Sequence, residues 1–318
     1  MRYFDLHCDT IGECALRGCG LRKNCLNVDL TRAPRVWAQA FACWIPDTLR
    51  GAQAKSRFDL VYRKFLEQMA LNAGCCAFCR GSGEMTRALA CGRAACFFTL
   101  EGSAALAGDI DALYEVYQKG VRMITLTWNG ECEAGAGCHA KGGLTAFGRA
   151  LVGEMARLRV IIDVSHLSDQ GFDDVAACTD VPFIASHSNA RAVCGSARNL
   201  TDAQFCEIVR RGGLAGLNFY PEFINSRKKT VYEDILYHVE HFLELGGEDA
   251  LAIGADFDGA VVPTGAAASG YQALPYNLHG IEDMETVYNF LLGYYPEPVV
   301  DKIFFANACR FFKRYLTE

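Results

Sequence analysis

Short apolar runs rich in β-branched and aromatic residues recur along the chain, and most are followed by a stretch with helical periodicity. Runs of this length predict buried strands, and the periodic stretches predict helices that cover them. We find eight such runs, which are Arg2–His7, Ala38–Trp44, Ala94–Leu100, Val121–Thr127, Val160–Ser165, Phe183–Ser186, Leu214–Tyr220 and Leu251–Asp256.

The helical stretches lie between these runs and have recognisable ends, such as the capping residues Thr145 and Thr201. The predicted helices are Arg57–Phe78, Ile110–Lys119, Phe147–Leu158, Asp202–Arg211, Thr230–Leu245, and two in the tail near Glu282–Leu292 and Glu297–Tyr315. This alternation predicts a (β/α)₈ TIM barrel with C-terminal helices, and we expect residues 1–318 to form one domain. The alternative is an open doubly wound sheet. The number of strands and the lack of a Gly-rich phosphate loop after the first strand favour the barrel.

Polar residues that can carry chemistry follow five of the predicted strands. In a barrel of this type the active site lies at the carboxyl ends of the strands. The first strand ends in His7 and Asp9, and residues two apart on a strand point the same way, so both are expected to face inward. The other candidates are Glu101 after the third strand, His166 after the fifth, His187 after the sixth and Asp256 after the eighth.

These imidazole and carboxylate groups predict a metal centre, because burying them together without a cation would be costly. Their nitrogen and oxygen atoms suit zinc and similar divalent ions. The predicted ligands are His7, Asp9, Glu101, His166 and His187. This number of ligands suggests two Zn²⁺ ions about 3.5–4 Å apart, bridged by Glu101 and a hydroxide, which is a site for amide or ester hydrolysis. Asp256 would take the proton from the nucleophile and pass it to the leaving amine.

Four more residues are candidates for substrate contacts. Arg198 lies in the loop after the sixth strand, and its guanidinium suits bidentate capture of a carboxylate, although the pattern alone equally fits a surface arginine. Trp128 and Asn129 follow the fourth strand, and Tyr220 ends the seventh. These three can supply walls or hydrogen bonds but not proton transfer at neutral pH.

The composition adds one feature, which is the cysteine content. The chain has 318 residues, 51% of them hydrophobic, and a net charge of −6, which argues against disorder and against nucleic acid or an anionic membrane as a partner. Its 16 cysteines do not make a disulfide scaffold at this length and indicate a reducing, cytoplasmic compartment. No secretion signal or membrane anchor is apparent in the sequence.

Two further motifs have simpler interpretations. Cys76 and Cys79 form a CxxC motif inside a predicted helix, without a second pair at zinc-site spacing, so we expect core residues. His238 and His241 lie three apart on a predicted helix with no acid or third ligand nearby, so we expect a solvated face.

The motifs around the candidate residues resemble the membrane (renal) dipeptidase family of metallopeptidases, including its soluble bacterial members. The similar segments, in family order, are Asp5–Thr10, Leu100–Gly102, Leu126–Asn129, Gly143–Gly148, Ile162–Ser168, Ala185–Asn189, Arg198–Asn199 and Gly254–Gly259. The resemblance implies a (β/α)₈ barrel with a binuclear zinc centre. It implies that His7 and Asp9 bind one ion, that His166 and His187 bind the other, and that Glu101 bridges them. It also implies that Asp256 is the acid/base and that Arg198 holds the substrate's C-terminal carboxylate.

The resemblance further implies a short peptide substrate, tolerance for a D-residue at its C-terminal end, and a homodimer as the common assembly. One position departs from the family pattern, because Trp128 stands where mammalian-type members have a histidine that contacts the reacting centre. His139, in the loop Gly130–Gly143, is a weak candidate to replace it. Two alternatives therefore stay open: a related amidohydrolase acting on another amide or a lactone, and a metal-binding barrel that has lost turnover.

Overall fold

Eight parallel strands form a closed barrel in the computed structural model, which describes residues 1–227, 231–259 and 278–316. The strands are β1 Arg2–Cys8, β2 Val36–Trp44, β3 Ala94–Glu101, β4 Val121–Thr125, β5 Ile161–Asp163, β6 Ile184–Ala185, β7 Leu214–Leu217 and β8 Leu251–Ile253. Each strand pairs with the next along the chain, and β1 pairs with β8 through Asp5 and Ile253, which closes the sheet. The predicted (β/α)₈ barrel is confirmed, with all eight strands at the predicted places.

Helices cover the outside of this barrel. They are α1 Thr10–Arg17, α2 Gly51–Leu71, α3 Ser82–Ala90, α4 Ile110–Gln118, α5 Ala146–Leu158, α6 Asp169–Cys178, α7 Asp202–Arg211, α8 Pro221–Ile224, α9 Tyr232–Glu244, α10 Met284–Leu292, α11 Glu297–Asp301 and α12 Asn307–Tyr315. Thr145 and Thr201 cap α5 and α7 as predicted, and each side chain accepts a backbone hydrogen bond. Thr230, the predicted start of one helix, lies outside the described residues.

The predicted helix Arg57–Phe78 is wrong at its C-terminal end. Helix α2 stops at Leu71, and Cys76–Phe78 is a ninth strand that pairs with the first half of β3. The apolar residues near Cys76 therefore belong to a short sheet edge, and periodicity over so few residues cannot distinguish that from a continued helix. Cys76 and Cys79 are both buried, which confirms the expected core position.

The amino-terminal end of the barrel is filled by aromatic side chains. Phe4 and Phe97, from β1 and β3, belong to a cluster that includes residues of all eight strands and of α12. The ring of Phe312 lies 4.7 Å from that of Phe4 and 4.8 Å from that of Phe97. Helix α12 thus closes this end, and the polar strand ends collect at the opposite, carboxyl end.

The end of β1 is irregular, and this irregularity decides where His7 points. Phe4 and Leu6 pack inside the barrel, so strict alternation would turn Cys8 inward. The register between β1 and β2 shifts between Asp5 and Cys8, and Cys8 packs in the outer core between barrel and helices. His7 turns to the barrel mouth instead, beside Asp9.

Candidate metal centre

The five predicted metal ligands meet at the carboxyl end of the barrel. His7, Asp9, Glu101, His166 and His187 are each no more than 7% exposed. His166 adopts a left-handed backbone conformation with φ of 69°, as does Asp256 at 59°. Such conformations are costly for residues other than glycine, so the fold holds these two strand ends in sharp turns that aim side chains into the mouth.

Glu101 lies at the centre of the cluster and presents its two oxygens to different histidines. Oε1 lies 2.8 Å from Nε2 of His166 and 3.6 Å from Nε2 of His187. Oε2 lies 3.4 Å from Nε2 of His7, which is also 3.4 Å from Oδ2 of Asp9. This carboxylate therefore presents one oxygen to His7 and the other to His166 and His187.

Hydrogen bonds at the outer nitrogens orient two of the histidines. Nδ1 of His166 donates to Oδ1 of Asn129 at 2.8 Å, and Nδ1 of His187 donates to Oγ of Ser186 at 2.6 Å. The Ser186 hydroxyl in turn donates to Oδ2 of Asp163 at 2.6 Å. Each histidine thus carries its proton on Nδ1 and directs its Nε2 lone pair into the cluster.

The donor set fits a divalent cation. The two Nε2 atoms of His166 and His187 lie 2.9 Å apart, and two facing lone pairs repel each other unless a cation lies between them. Among the described residues, both ring nitrogens of His7 and Oδ1 of Asp9 are buried without a hydrogen-bond partner. Nitrogen and oxygen donors in such an arrangement are the ligands that zinc uses in proteins.

Potential ligand atoms also lie close enough together to share an ion. In two triplets, one of His7, Glu101 and His187 and one of His7, Asp9 and Asp256, all ligand atoms lie within 4.8 Å of one another. Both triplets contain His7, so this geometry does not divide the ligands between two ions. The division of ligands that the family resemblance implies therefore stays a prediction.

The pKa shifts of three residues in the cluster also suit a cation. Burial lowers the pKa of His166 to about 4, helped by the charge of Arg198, so its imidazole is neutral at pH 7 and free to bind a metal. Burial also raises the pKa of Asp9 to about 7, with the neighbouring charge of Glu101 adding to the effect. Asp256 shows the same burial effect, with a pKa of about 6. A cation would relieve this crowding of buried carboxylates.

A pocket of about 320 Å³ opens over the cluster. Its lining residues are Asp9, Trp44, Glu101, Trp128, Asn129, His139, His166, Ser196, Tyr220, Glu222, Phe223, Asp256 and Gly259. Trp128, Asn129 and Tyr220 line this pocket, and their contact with a substrate stays a prediction. Trp44 was not predicted, although it ends the second strand, and the strand-end argument extended to aromatic residues would have found it.

The family model for membrane dipeptidases, peptidase family M19, matches residues 1–314. The chain belongs to this family. The resemblance inferred from the motifs is thus confirmed, and membership makes the chain a relative of metallopeptidases that act on dipeptides.

Two solved structures and one curated sequence are similar to this chain. The dipeptidase AC, an M19 metallo peptidase, superposes with a TM-score of 0.91 at 27% identity and covers 100% of this chain and 99% of its own. A metallo peptidase from Rhodobacter sphaeroides, liganded with a phosphinate mimic of the dipeptide L-Ala-D-Ala, gives a TM-score of 0.91 at 27% identity, covering 99% of both chains. An uncharacterized Klebsiella pneumoniae protein, encoded in the pqqA 5′ region, is 32% identical over 227 residues, which is 67% of this chain and 79% of that protein.

Arg198 of this M19 member is buried beside the pocket, so the alternative of a surface arginine is wrong. It is 4% exposed, and its guanidinium donates to Oγ of Ser188 at 2.7 Å and to the carbonyl of His187 at 2.9 Å. Its Nε–H is buried and has no acceptor among the described residues. Arg198 does not itself line the pocket, but the ring of Phe223, which does, lies 5.6 Å from the guanidinium.

Trp128, the departure from the family pattern, packs against a second indole. The rings of Trp128 and Trp44 lie 5.1 Å apart in an edge-to-face arrangement on the pocket wall. Nε1 of Trp44 is buried and has no partner among the described residues. The position that carries a histidine in mammalian-type members is thus part of an aromatic wall here.

The loop Gly130–Gly143 is joined to the candidate metal centre by backbone hydrogen bonds. The amide of Cys138 donates to the carbonyl of His166 at 2.7 Å, and the amide of Ser168 donates to the carbonyl of Ala136 at 3.1 Å. Glu131–Cys132 and Gly135–Ala136 pair as a short hairpin within this loop. His139 lines the pocket, so it stays a candidate for the position that Trp128 leaves.

The prediction of a solvated histidine pair on α9 is wrong for His238. Its side chain is 1% exposed, accepts from the amide of Ala190 at 3.1 Å and donates to the carbonyl of Ile224 at 2.8 Å. His241 instead bonds Asp202 at 2.8 Å near the surface. Residues three apart on a helix are neighbours on its surface, so the spacing does not show which of the two side chains is buried. The packing of α9 buries His238 and leaves His241 near the surface.

No helix among the described residues has the length and apolar character needed to span a membrane.

Proposed function

We propose that this M19 member is a zinc dipeptidase that hydrolyses the amide bond of dipeptides with a free C-terminal carboxylate. The observation that carries the proposal is the position of Glu101, whose two oxygens lie among three buried histidines below an open pocket. Zinc bound there would polarise the peptide carbonyl and activate a water for attack. A pocket of this size, about 320 Å³, suits a small ligand better than a long chain.

In this proposal the cluster would hold two zinc ions. His7 and Asp9 would hold one ion, His166 and His187 would hold the other, and Glu101 would be shared between them. The orientation of the Glu101 oxygens supports this division, because one faces His7 and the other faces the remaining pair.

Asp256 is the proposed acid/base. It lines the pocket, and its Oδ1 lies 3.8 Å from Nε2 of His7, so its free oxygen is within the reacting region. We expect Asp256→Asn to retain both metal ions and to lose most but not all of its turnover, because the amide cannot accept the proton. Metal analysis of the variant alongside its kcat distinguishes this result from a loss of metal.

Arg198 is the proposed partner of the substrate carboxylate. The buried Nε–H without an acceptor is the donor that a carboxylate would satisfy, and charge-assisted hydrogen bonds of this type are strong. The ligand of the Rhodobacter sphaeroides relative mimics L-Ala-D-Ala, which supports including D-residues at the C-terminal position of the substrate. Trp128, Asn129 and Tyr220 would form the walls around the dipeptide.

The test is a measurement of metal content followed by hydrolysis of matched dipeptides. The panel pairs L-Xaa-L-Xaa with L-Xaa-D-Xaa, adds C-terminally amidated versions as controls, and is repeated with chelator. We expect two zinc ions, chelator-sensitive cleavage of the free acids and weak cleavage of the amides. Stoichiometric metal with no turnover on any dipeptide would contradict the proposal.

A second candidate is an amidohydrolase that acts on another amide or on a lactone. The observation that favours it is the Trp44–Trp128 wall, since an indole offers a hydrogen-bond donor but no titratable group at neutral pH. N-acyl amino acids and lactones belong in the same panel, and cleavage of these alone would select this candidate.

We also propose a cytoplasmic location, which the free state of all 16 cysteines supports.

A further inference from the structure

Asn218 follows strand β7 at the barrel mouth, and hydrogen bonds use both ends of its side chain. It is 2% exposed. Its Nδ2 donates to Oδ2 of Asp256 at 2.9 Å and to the carbonyl of His187 at 3.3 Å. Its Oδ1 accepts from the amide of Tyr220 at 2.6 Å. One amide side chain therefore connects the proposed acid/base, a proposed ligand and the pocket wall.

The backbone of Asn218 is held independently of its side chain. Its amide donates to Oδ1 of Asn189 at 2.9 Å, and its carbonyl accepts from Nδ2 of the same residue at 2.8 Å. This paired contact joins the end of β7 to the loop that follows β6. A change in the side-chain donor of Asn218 alone leaves these two bonds in place.

The carboxylate of Asp256 depends on Asn218 for its orientation. Within the described parts of the chain, the bond from Asn218 is the one hydrogen bond to this carboxylate, and it occupies Oδ2. Oδ1 is the oxygen that lies 3.8 Å from Nε2 of His7, and Asp256 lines the pocket. The two oxygens of Asp256 are thus inequivalent, with one anchored and one open.

We propose that Asn218 is a positioning residue that anchors Oδ2 of Asp256, so that Oδ1 is the atom that moves the proton. This inference rests on the proposed function and deepens it. In hydrolysis, Oδ1 takes one proton from the attacking water as the new C–O bond forms. It then gives that proton to the leaving nitrogen as the C–N bond breaks. Asp256 ends the cycle unchanged, and one water is consumed per amide bond.

Two features make an amide side chain necessary at this position. A donor is needed towards Oδ2 of Asp256, and an acceptor is needed towards the amide of Tyr220. An aspartate has the same shape and keeps the acceptor, but it places a second carboxylate against Asp256. The substitution Asn218→Asp therefore removes the proposed function of the residue with little change in packing.

The test compares Asn218→Asp with a matched substitution at the other end of the barrel. Asn307 is also fully buried, and its Nδ2 donates to the carbonyls of Glu248 and Leu251, both at 2.8 Å. Asn307→Asp makes the same chemical change away from the pocket. We expect Asn218→Asp to lower kcat by about 10–100-fold, with KM within about twofold and metal content unchanged. Asn307→Asp should lower stability and leave kcat of the folded enzyme unchanged.

A double-mutant cycle with Asp256→Asn separates positioning from a general structural role. If Asn218 acts through Asp256, Asn218→Asp should lower the residual kcat of the Asp256→Asn enzyme by less than about twofold. An equal loss in both backgrounds would overturn the inference, as would an Asn218→Asp enzyme with the wild-type kcat. A wild-type protein that cleaves no dipeptide would instead overturn the proposed function, and this inference with it.

Discussion

At the scale of single residues, the candidate ligands are held by partners that never enter the cluster. Asn129 was predicted as a substrate contact, and the structure shows that its Oδ1 also accepts the Nδ1–H of His166 at 2.8 Å. Ser186 and Asp163 do the same for His187 in a relay of two hydrogen bonds of 2.6 Å. These contacts select the tautomer that can bind a metal, so the outer residues decide the chemistry of the inner ones.

The first prediction concerns Asn129. The substitution Asn129→Ala should weaken metal affinity by about 10–100-fold, because His166 loses the acceptor that orients its ring. Competition with a chelator of known affinity, followed by metal analysis, measures this change. Ser196→Ala is the control, since Ser196 lines the same pocket without bonding a candidate ligand. Equal affinities for the two variants would show that Asn129 does not orient His166.

Arg198 gives the second prediction at this scale. Arg198→Ala should mainly raise KM for free-acid dipeptides, since it removes a charge-assisted contact worth about 1.5–3 kcal/mol. Arg198→Lys should restore little, because an ammonium cannot reproduce the two guanidinium bonds to Ser188 and His187. Steady-state kinetics on each dipeptide and its C-terminal amide check this. Unchanged KM for the free acids would exclude the carboxylate contact.

At the scale of secondary-structure elements, helix α12 packs into the barrel core, although it comes after all eight barrel strands in the sequence. Its aromatic side chains enter the amino-terminal end of the barrel and share a cluster with inward-facing residues of all eight strands. Phe312 packs on Phe4 and Phe97, which come from β1 and β3. The helix is thus part of the barrel core, and the first and last parts of the chain stabilise each other.

The third prediction follows from this packing. Phe312→Ala should lower the free energy of unfolding by about 3–5 kcal/mol, because it leaves a cavity in a closed core. Leu71→Ala is the control, since Leu71 is 69% exposed and should change stability by less than about 0.5 kcal/mol. Urea denaturation of both variants measures the difference. Similar stabilities would mean that α12 does not close the barrel.

At the scale of the whole molecule, the barrel concentrates polar groups at one end and apolar rings at the other. Buried carboxylates and imidazoles from five strand ends share the mouth, and burial raises the pKa of Asp9 to about 7. Without a cation these groups oppose folding, because their charged forms are poorly solvated and repel one another. Metal binding and global stability should therefore be linked.

The fourth prediction tests this linkage. Chelation should lower the melting temperature and abolish activity, and zinc should restore both. A ligand at about 100 times its Kd stabilises the folded state by about 2.7 kcal/mol, which is a readily measured shift. Calorimetry with and without zinc measures it. A melting temperature that chelation leaves unchanged would mean that the cluster does not hold an ion that matters for stability.

Local patterns in the sequence determined the eight strands, most of the helices and the residues at the strand ends. These features depend on periodicity and composition over a few residues, which each segment carries by itself. The five ligand candidates and Asp256 were identified this way, because the carboxyl ends of all strands in a (β/α)₈ barrel meet at the same end of the barrel. The same local argument failed at Cys76–Phe78, where packing decides between a helix and a strand. It also failed at His238, where packing decides whether the side chain is buried or exposed.

Only the tertiary structure decided which groups touch. The shifted register of β1 turns His7 to the mouth, the burial of Arg198 leaves one N–H without an acceptor, and Asn218 meets Asp256 across two strands. Some of these contacts join residues that are distant in sequence. The position of His7 depends on a register shift in β1, which the regular alternation of side chains along a strand does not predict. Closure of the barrel brings them within hydrogen-bond distance, so the partners appear only once all eight strands are in place.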